Sequence, residues 1–302
     1  MSNLPCELLD HIVDLLHDCQ ISIKNCCLVS KSWVAPARRH LFADVHFQTT
    51  KSLELWKQAF PDPSSSPARY TKTLFIHHSQ VVTAADGEAG CWVGGFPRLA
   101  CLVMVGGSSG LRRFAAGWGN TFTLLHGISP VVRSFRVHSV LLQSSRLFNL
   151  ILSFPLLEDL SVTDCCQFPP EFGEGSDAQP SSLPAFSGSL ELNMTGGMEP
   201  IARRLLFPSD GMHFRKLTLE SSCEEDIPLI MELVEKCSHT LESLYITHNN
   251  LDHILVHLWE SHSVRTNVTW TRGRLEGDLG NYVGRLLPEM TKRGMVTIDL
   301  TE

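Results

Sequence analysis

The spacing of apolar residues changes rhythm once along the chain. Over the first forty or so residues it is helical. Pro5 suits a first helical turn, where its missing N–H would have no intrahelical partner. Leu8, Leu9, Ile12, Val13, Leu15 and Leu16 follow at one-, three- and four-residue steps, a stripe too wide for one neighbouring element to cover. Ser22 is placed to cap a second helix carrying Ile23, Cys26, Cys27, Val29 and Trp33. Pro36 then ends that helix and opens a short third one, Ala37 to Phe42. Three helices in about 40 residues have too little volume to bury all these leucines, so a second polypeptide is expected to complete the packing.

From Val45 onward the pattern becomes a recurring short strand written apolar-x-x-apolar-x-apolar. Leu99 to Met104, Val132 to Val137, Leu157 to Val162, Phe214 to Leu219 and Leu241 to Ile246 are clear copies. Weaker ones run Thr71 to Ile76, Ser187 to Leu192 and Met295 to Leu300. Their central residues fall at 45, 74, 102, 135, 160, 190, 217 and 244, and the next clear centre is Ile298, 54 residues on. One unit is therefore expected to have drifted or been lost near Trp270. Helical spacing marks return segments at Ser52 to Phe60, Ser144 to Phe154, Asp226 to Cys237, Leu251 to His262 and Gly280 to Arg293. Asp226 is the expected N-cap of its helix, with Pro228 in the first turn. Pro61 to Pro67, Thr83 to Gly95 and Phe168 to Gly188 read as loops. A doubly wound α/β enzyme also alternates strands and helices, but regular repetition of one strand phrase favours a stacked array.

These two patterns carry a resemblance. Leu4-Pro5, Glu7-Leu8-Leu9, Leu28-Val29-Ser30 and Trp33 follow the order of an F-box, the module that joins a substrate receptor to a cullin-RING ubiquitin ligase through a Skp-type adaptor. The Leu-x-x-Leu-x-Leu strands with a period near 27 resemble leucine-rich repeats. The combination is similar to the F-box proteins expanded in mushroom-forming fungi. It implies an α/β fold in which a three-helix F-box, residues 1–44, precedes a leucine-rich-repeat-like solenoid, residues 45–302, of parallel strands and return helices forming a curved sheet. It also implies a non-catalytic receptor without cofactor or metal, docking on the adaptor, and through it a cullin, with a target protein held by the repeats. Position by position, the adaptor contact would use Leu4, Pro5, Leu8, Leu9, Ile12, Leu16, Leu28, Val29 and Trp33, the last as an aromatic anchor. The link at Gln20 to Ile23 is shorter than the usual F-box pattern.

Composition narrows the function classes further. The net charge is −7 across 302 residues, and basic residues cluster only as pairs such as Arg38-Arg39, so nucleic acid is not an expected partner. No apolar run approaches the roughly 18 residues of a membrane span. Met1 to Leu9 lacks the form of a signal peptide, and the expectation is a cytoplasmic or nuclear protein. The ten cysteines are scattered without Cys-x-x-Cys spacing and read as buried, reduced thiols. An alternative lies in Val103-Met104-Val105-Gly106-Gly107-Ser108-Ser109-Gly110, a strand followed by G-x-S-x-G as in a hydrolase nucleophile elbow. Ser108 would be its nucleophile, with Asp159 or Asp164 and His239 or His248 completing a triad. His253 and His257 share a helical face, but no third metal ligand accompanies them. A repeat scaffold outside any ligase is the remaining alternative.

Overall fold

The apolar strand phrases that fall among the described residues form strands, and these pair in parallel. The computed structural model describes residues 4–62, 66–77, 96–106, 131–142, 144–163, 165–167, 186–193, 199–206, 212–221, 226–237, 239–248 and 267–269. The chain is mixed α/β and divides into two compact units, Met1–Val132 and Arg133–Glu302. In the first, helices α1 (Cys6–Leu15), α2 (Gln20–Val29) and α3 (Lys31–Leu41) precede β1 (Asp44–Phe47), α4 (Thr50–Ala59), a 3-10 turn (Pro67–Tyr70), β2 (Thr73–His77) and β3 (Cys101–Val105). The three strands lie side by side in chain order. In the second, β4 (Ser134–His138), β6 (Asp159–Thr163), β8 (Ser189–Asn193), β9 (Lys216–Ser221), β10 (Ser243–His248) and β11 (Asn267–Thr269) form a parallel ladder. A separate parallel pair, β5 (Leu141–Leu142) and β7 (Cys166–Gln167), follows β4 and β6.

The predicted centres meet one another across the ladders. Val45 faces Leu74 and Leu74 faces Leu102. In the second unit the row runs Phe135, Leu160, Leu190, Leu217, Leu244 and Val268. Val268 supplies the unit expected near Trp270, on a strand only three residues long. Every centre from Leu74 to Leu244 is buried, and so are Ile76, Met104, Val137, Val162, Leu192 and Leu219, each two residues beyond its centre. Side chains alternate across a strand, so the same two-residue step leaves Arg136, Glu191 and Glu220 exposed on the other face.

Return helices cover the apolar face. In the second unit α5 (Ser144–Leu152), α6 (Glu199–Leu206) and α7 (Ile227–Cys237) pack in order, α5 on α6 and α6 on α7. Their buried stripes include Leu147, Phe148 and Ile151, then Ile201, Ala202 and Leu205, then Ile230, Leu233 and Val234. Helix α6 was not expected: its apolar residues span fewer than two turns, while Pro200 in the first turn and the Arg203–Glu199 pair at 2.6 Å support it. Helix α4 begins before the expected Ser52 because Thr49 and Ser52 form a capping box, Ser52 N–H donating to Thr49 Oγ1 at 3.0 Å and Thr49 N–H to Ser52 Oγ at 3.1 Å. Asp226 directly precedes α7, with Pro228 in its first turn. The helices expected at Leu251 to His262 and Gly280 to Arg293, and the strand at Met295 to Leu300, lie outside the described residues.

Within each compact unit, neighbouring repeats are joined by main chain just before β2, β3, β6, β8, β9 and β10. The Ala43 carbonyl accepts from Lys72 and Thr73 N–H, and the Lys72 carbonyl from Ala100 and Cys101 N–H. Arg133, Gly188 and Arg215 carbonyls each accept the corresponding two N–H groups of the next unit. The joint into β8 differs. Glu158 O takes the Gly188 N–H at 3.1 Å, but the second donor, Ser189 N–H, goes to the Asp159 carboxylate at 2.7 Å, which also accepts from Ser189 Oγ. Gly188 makes this substitution sterically possible, since a Cβ there would lie 2.3 Å from Asp159 Oδ1 and 3.0 Å from Glu158 O.

Gly188→Ala should therefore lower stability by about 1–3 kcal/mol, seen as an earlier urea midpoint with unchanged slope. Adding Asp159→Ala removes one of the two colliding groups, and a double-mutant cycle should show positive coupling. Ser139, which turns the chain between β4 and β5, holds φ 53° while its N–H donates to Thr163 O at 3.0 Å. Ser139→Val places a β-branched residue in the left-handed region, at an expected cost of roughly 1–2 kcal/mol in the same denaturation experiment.

Candidate functional site

The N-terminal helices are built around a small core and leave much of their apolar surface outside it. The Pro5 carbonyl accepts from Leu8 and Leu9 N–H at 3.1 and 3.2 Å, which starts α1 where the sequence places it. Helix α2 starts earlier than expected. Cys19, not Ser22, is its N-cap residue, and Ser22 lies in the first turn with its hydroxyl donating to Cys19 Sγ at 3.1 Å. That hydroxyl, joined by the N–H groups of Ser22 and Ile21, lowers the Cys19 pKa below the usual thiol value.

The boundary between the second and third helices also differs from the sequence expectation. The break falls at Ser30, which is extended (φ −165°, ψ 165°), and α3 runs from Lys31 through Pro36 to Leu41. Serine competes for backbone partners and favours helix boundaries. Pro36 removes one N–H from the second turn of α3, but it is buried in the packing and does not end the helix. Trp33 therefore belongs to α3 and not to α2.

Val13, Ile23, Cys26 and Ala37 form the core of the three helices, with Leu16, Cys27, Trp33 and Leu41 packed against it. Ala37 is fully buried. Two polar contacts bind α1 to α3: Arg39 to Asp10 at 3.3 Å and His40 Nε2 to Asp14 Oδ1 at 2.7 Å. The end of this module is tied to the following strands by an aromatic group. Trp56 lies edge-on to Phe42 and Phe47, at 6.0 and 5.7 Å between centroids, and also meets Phe60 and Phe96.

The residues named from the F-box resemblance divide into two sets. Leu4, Leu8, Ile12, Leu28 and Val29 are exposed, at 47%, 51%, 36%, 84% and 65%, and Pro5 is exposed with them. Leu9 points inward and is buried, while Leu16 and Trp33 are half-buried against the core. These last three are packing residues, because their helical positions face the neighbouring helices. Sequence reasoning missed Leu15 and Ile21, both 71% exposed. Leu15 completes the α1 stripe of Leu8 and Ile12 at positions i, i+4 and i+7, and this spacing was the available signal. Ile21 could be placed only once the start of α2 was known.

Other candidate chemistry lies elsewhere in the chain. Ser108, Asp164, His253 and His257 are outside the described residues. Asp159 accepts from the Ser189 backbone and side chain. Among the described residues, no group of three His, Cys, Asp or Glu side chains is placed to hold a metal, and no helix is long and apolar enough to cross a membrane. Cys26, Cys165 and Cys237 are buried as expected, burial pushing the Cys237 pKa up to about 11, whereas Cys6 and Cys19 are exposed.

The two sets should separate in a stability measurement. Trp33→Ala removes packing from the helical core and should cost about 2–3 kcal/mol, whereas Leu8→Asp should change stability by no more than about 0.5 kcal/mol. Urea denaturation followed by far-ultraviolet circular dichroism reads both. Comparison of the chain with family models, with curated proteins and with solved structures finds no match.

Proposed function

We propose that this chain is the substrate-recognition subunit of a cullin-RING ubiquitin ligase. In this reading its N-terminal helices are an F-box that docks on a Skp-type adaptor, and its parallel strand-and-helix array is a degenerate leucine-rich-repeat solenoid that holds a target protein. The observation that carries the reading is the exposed apolar surface of α1 and α2. Leu4, Leu8, Ile12, Leu15, Ile21, Leu28 and Val29 stay in water although the same helices have a packed core. Large exposed apolar patches on a folded module mark interaction surfaces, and here the patch includes most of the residues that the F-box order names. The in-register ladder of strand centres supports the repeat reading.

Function then follows from placement and not from a reacting side chain. One end of the chain attaches to the ligase, the array holds a target, and the resulting effective concentration favours transfer of ubiquitin to that target. An assembly of this kind would work in the cytoplasm or nucleus.

The full-length chain should co-purify with a co-expressed Skp-type adaptor. A Leu8→Asp, Leu28→Asp double variant should weaken that association at least about 100-fold while its circular dichroism spectrum stays that of the parent. A parent chain that binds a target but never the adaptor would identify a repeat scaffold outside any ligase.

A further inference from the structure

We infer that the exposed face of α2 is the positively charged part of the docking surface and fits an apolar groove of the adaptor rimmed by carboxylates. This rests on the adaptor-docking reading above and specifies the chemistry of the partner's surface. Ile21, Lys24 and Leu28 lie at i, i+3 and i+7 on α2, so Lys24 interrupts the apolar row and shares its face. Val29 follows, and after the break at Ser30 comes Lys31, the first residue of α3. Both lysines are exposed.

Their charge is not used inside the module. The acids of α1 that face α3 are already engaged, Asp10 by Arg39 and Asp14 by His40, and Asp18 in the α1–α2 turn pairs with His17 at 3.0 Å. Among the described residues, no ion pair involves Lys24 or Lys31. Glu7 in the first turn of α1 is exposed and, among the described residues, likewise in no ion pair, so the surface carries negative charge at the start of α1 and positive charge at Lys24 of α2 and Lys31 at the start of α3. A partner groove that accepts Ile21, Leu28 and Val29 would desolvate the neighbourhood of the two ammonium groups. Carboxylates at its rim would compensate them, and such rim charges act mainly on encounter rate and salt dependence.

The test uses the full-length chain and a purified Skp-type adaptor, with affinity measured at low and at high salt. Lys24→Glu with Lys31→Glu should weaken binding about tenfold or more at low salt and much less at high salt, because screening removes the contribution of exposed charges. The neutral pair Lys24→Gln with Lys31→Gln should fall between parent and reversal. Adaptor binding by the parent that the reversal leaves unchanged at low salt would overturn the electrostatic assignment alone, provided Leu8→Asp still abolishes binding. Failure of the parent to bind the adaptor at any salt would overturn the docking reading and this inference with it.

Discussion

The array depends on one constraint: each strand can bury its apolar face only if the next strand presents its own apolar residues at the same height. Side chains alternate in and out with every residue, so a slip of one position would send Leu160 or Leu217 into water and Arg136 or Glu191 into the core. Fully burying one leucine is worth roughly 1.5–3 kcal/mol, and a slip would forfeit several at once along a strand. The consistent pairing of Phe135, Leu160, Leu190, Leu217 and Leu244 follows from that penalty. The return helices can then be irregular in length and composition, because they need only cover a face whose position is already set.

The helical module follows the opposite logic. Its small core of Val13, Ile23, Cys26 and Ala37 is enough to hold three helices together, helped by the polar contacts between α1 and α3. Leu4, Leu8, Ile12, Leu15, Ile21, Leu28 and Val29 are not covered by that core and remain exposed. That imbalance between available apolar surface and available interior is the physical basis for proposing a partner at this end of the chain.

Strand positions were legible in the sequence because a two-residue alternation with a fixed phrase reports burial directly. The central residues named from sequence became ladder partners within each unit. The drifted unit was harder, since β11 is three residues long and Val268 lacks the flanking leucines of the other copies. Helix boundaries were less legible. Periodicity said that Val29 and Trp33 are four residues apart on one face, but the backbone break at Ser30 puts them on different helices. Proline suggested a helix end at Pro36, yet α3 runs through it, giving up one intrahelical hydrogen bond while the ring is buried in the packing. Which leucines of α1 face out also needed the structure: Leu8 and Leu9 are adjacent in sequence, and only the position of α3 decides that Leu9 is the one covered.

Joining neighbouring units through paired carbonyl contacts has an evolutionary consequence. Main chain is common to all residues, so away from the crowded Gly188 the identity of the amino acid at a junction is nearly free, and lysine, arginine and alanine all occupy the accepting position. Divergence can erode the motif letter by letter without dissolving the architecture. A chain built this way can rewrite the chemistry it displays to the outside while keeping its frame intact.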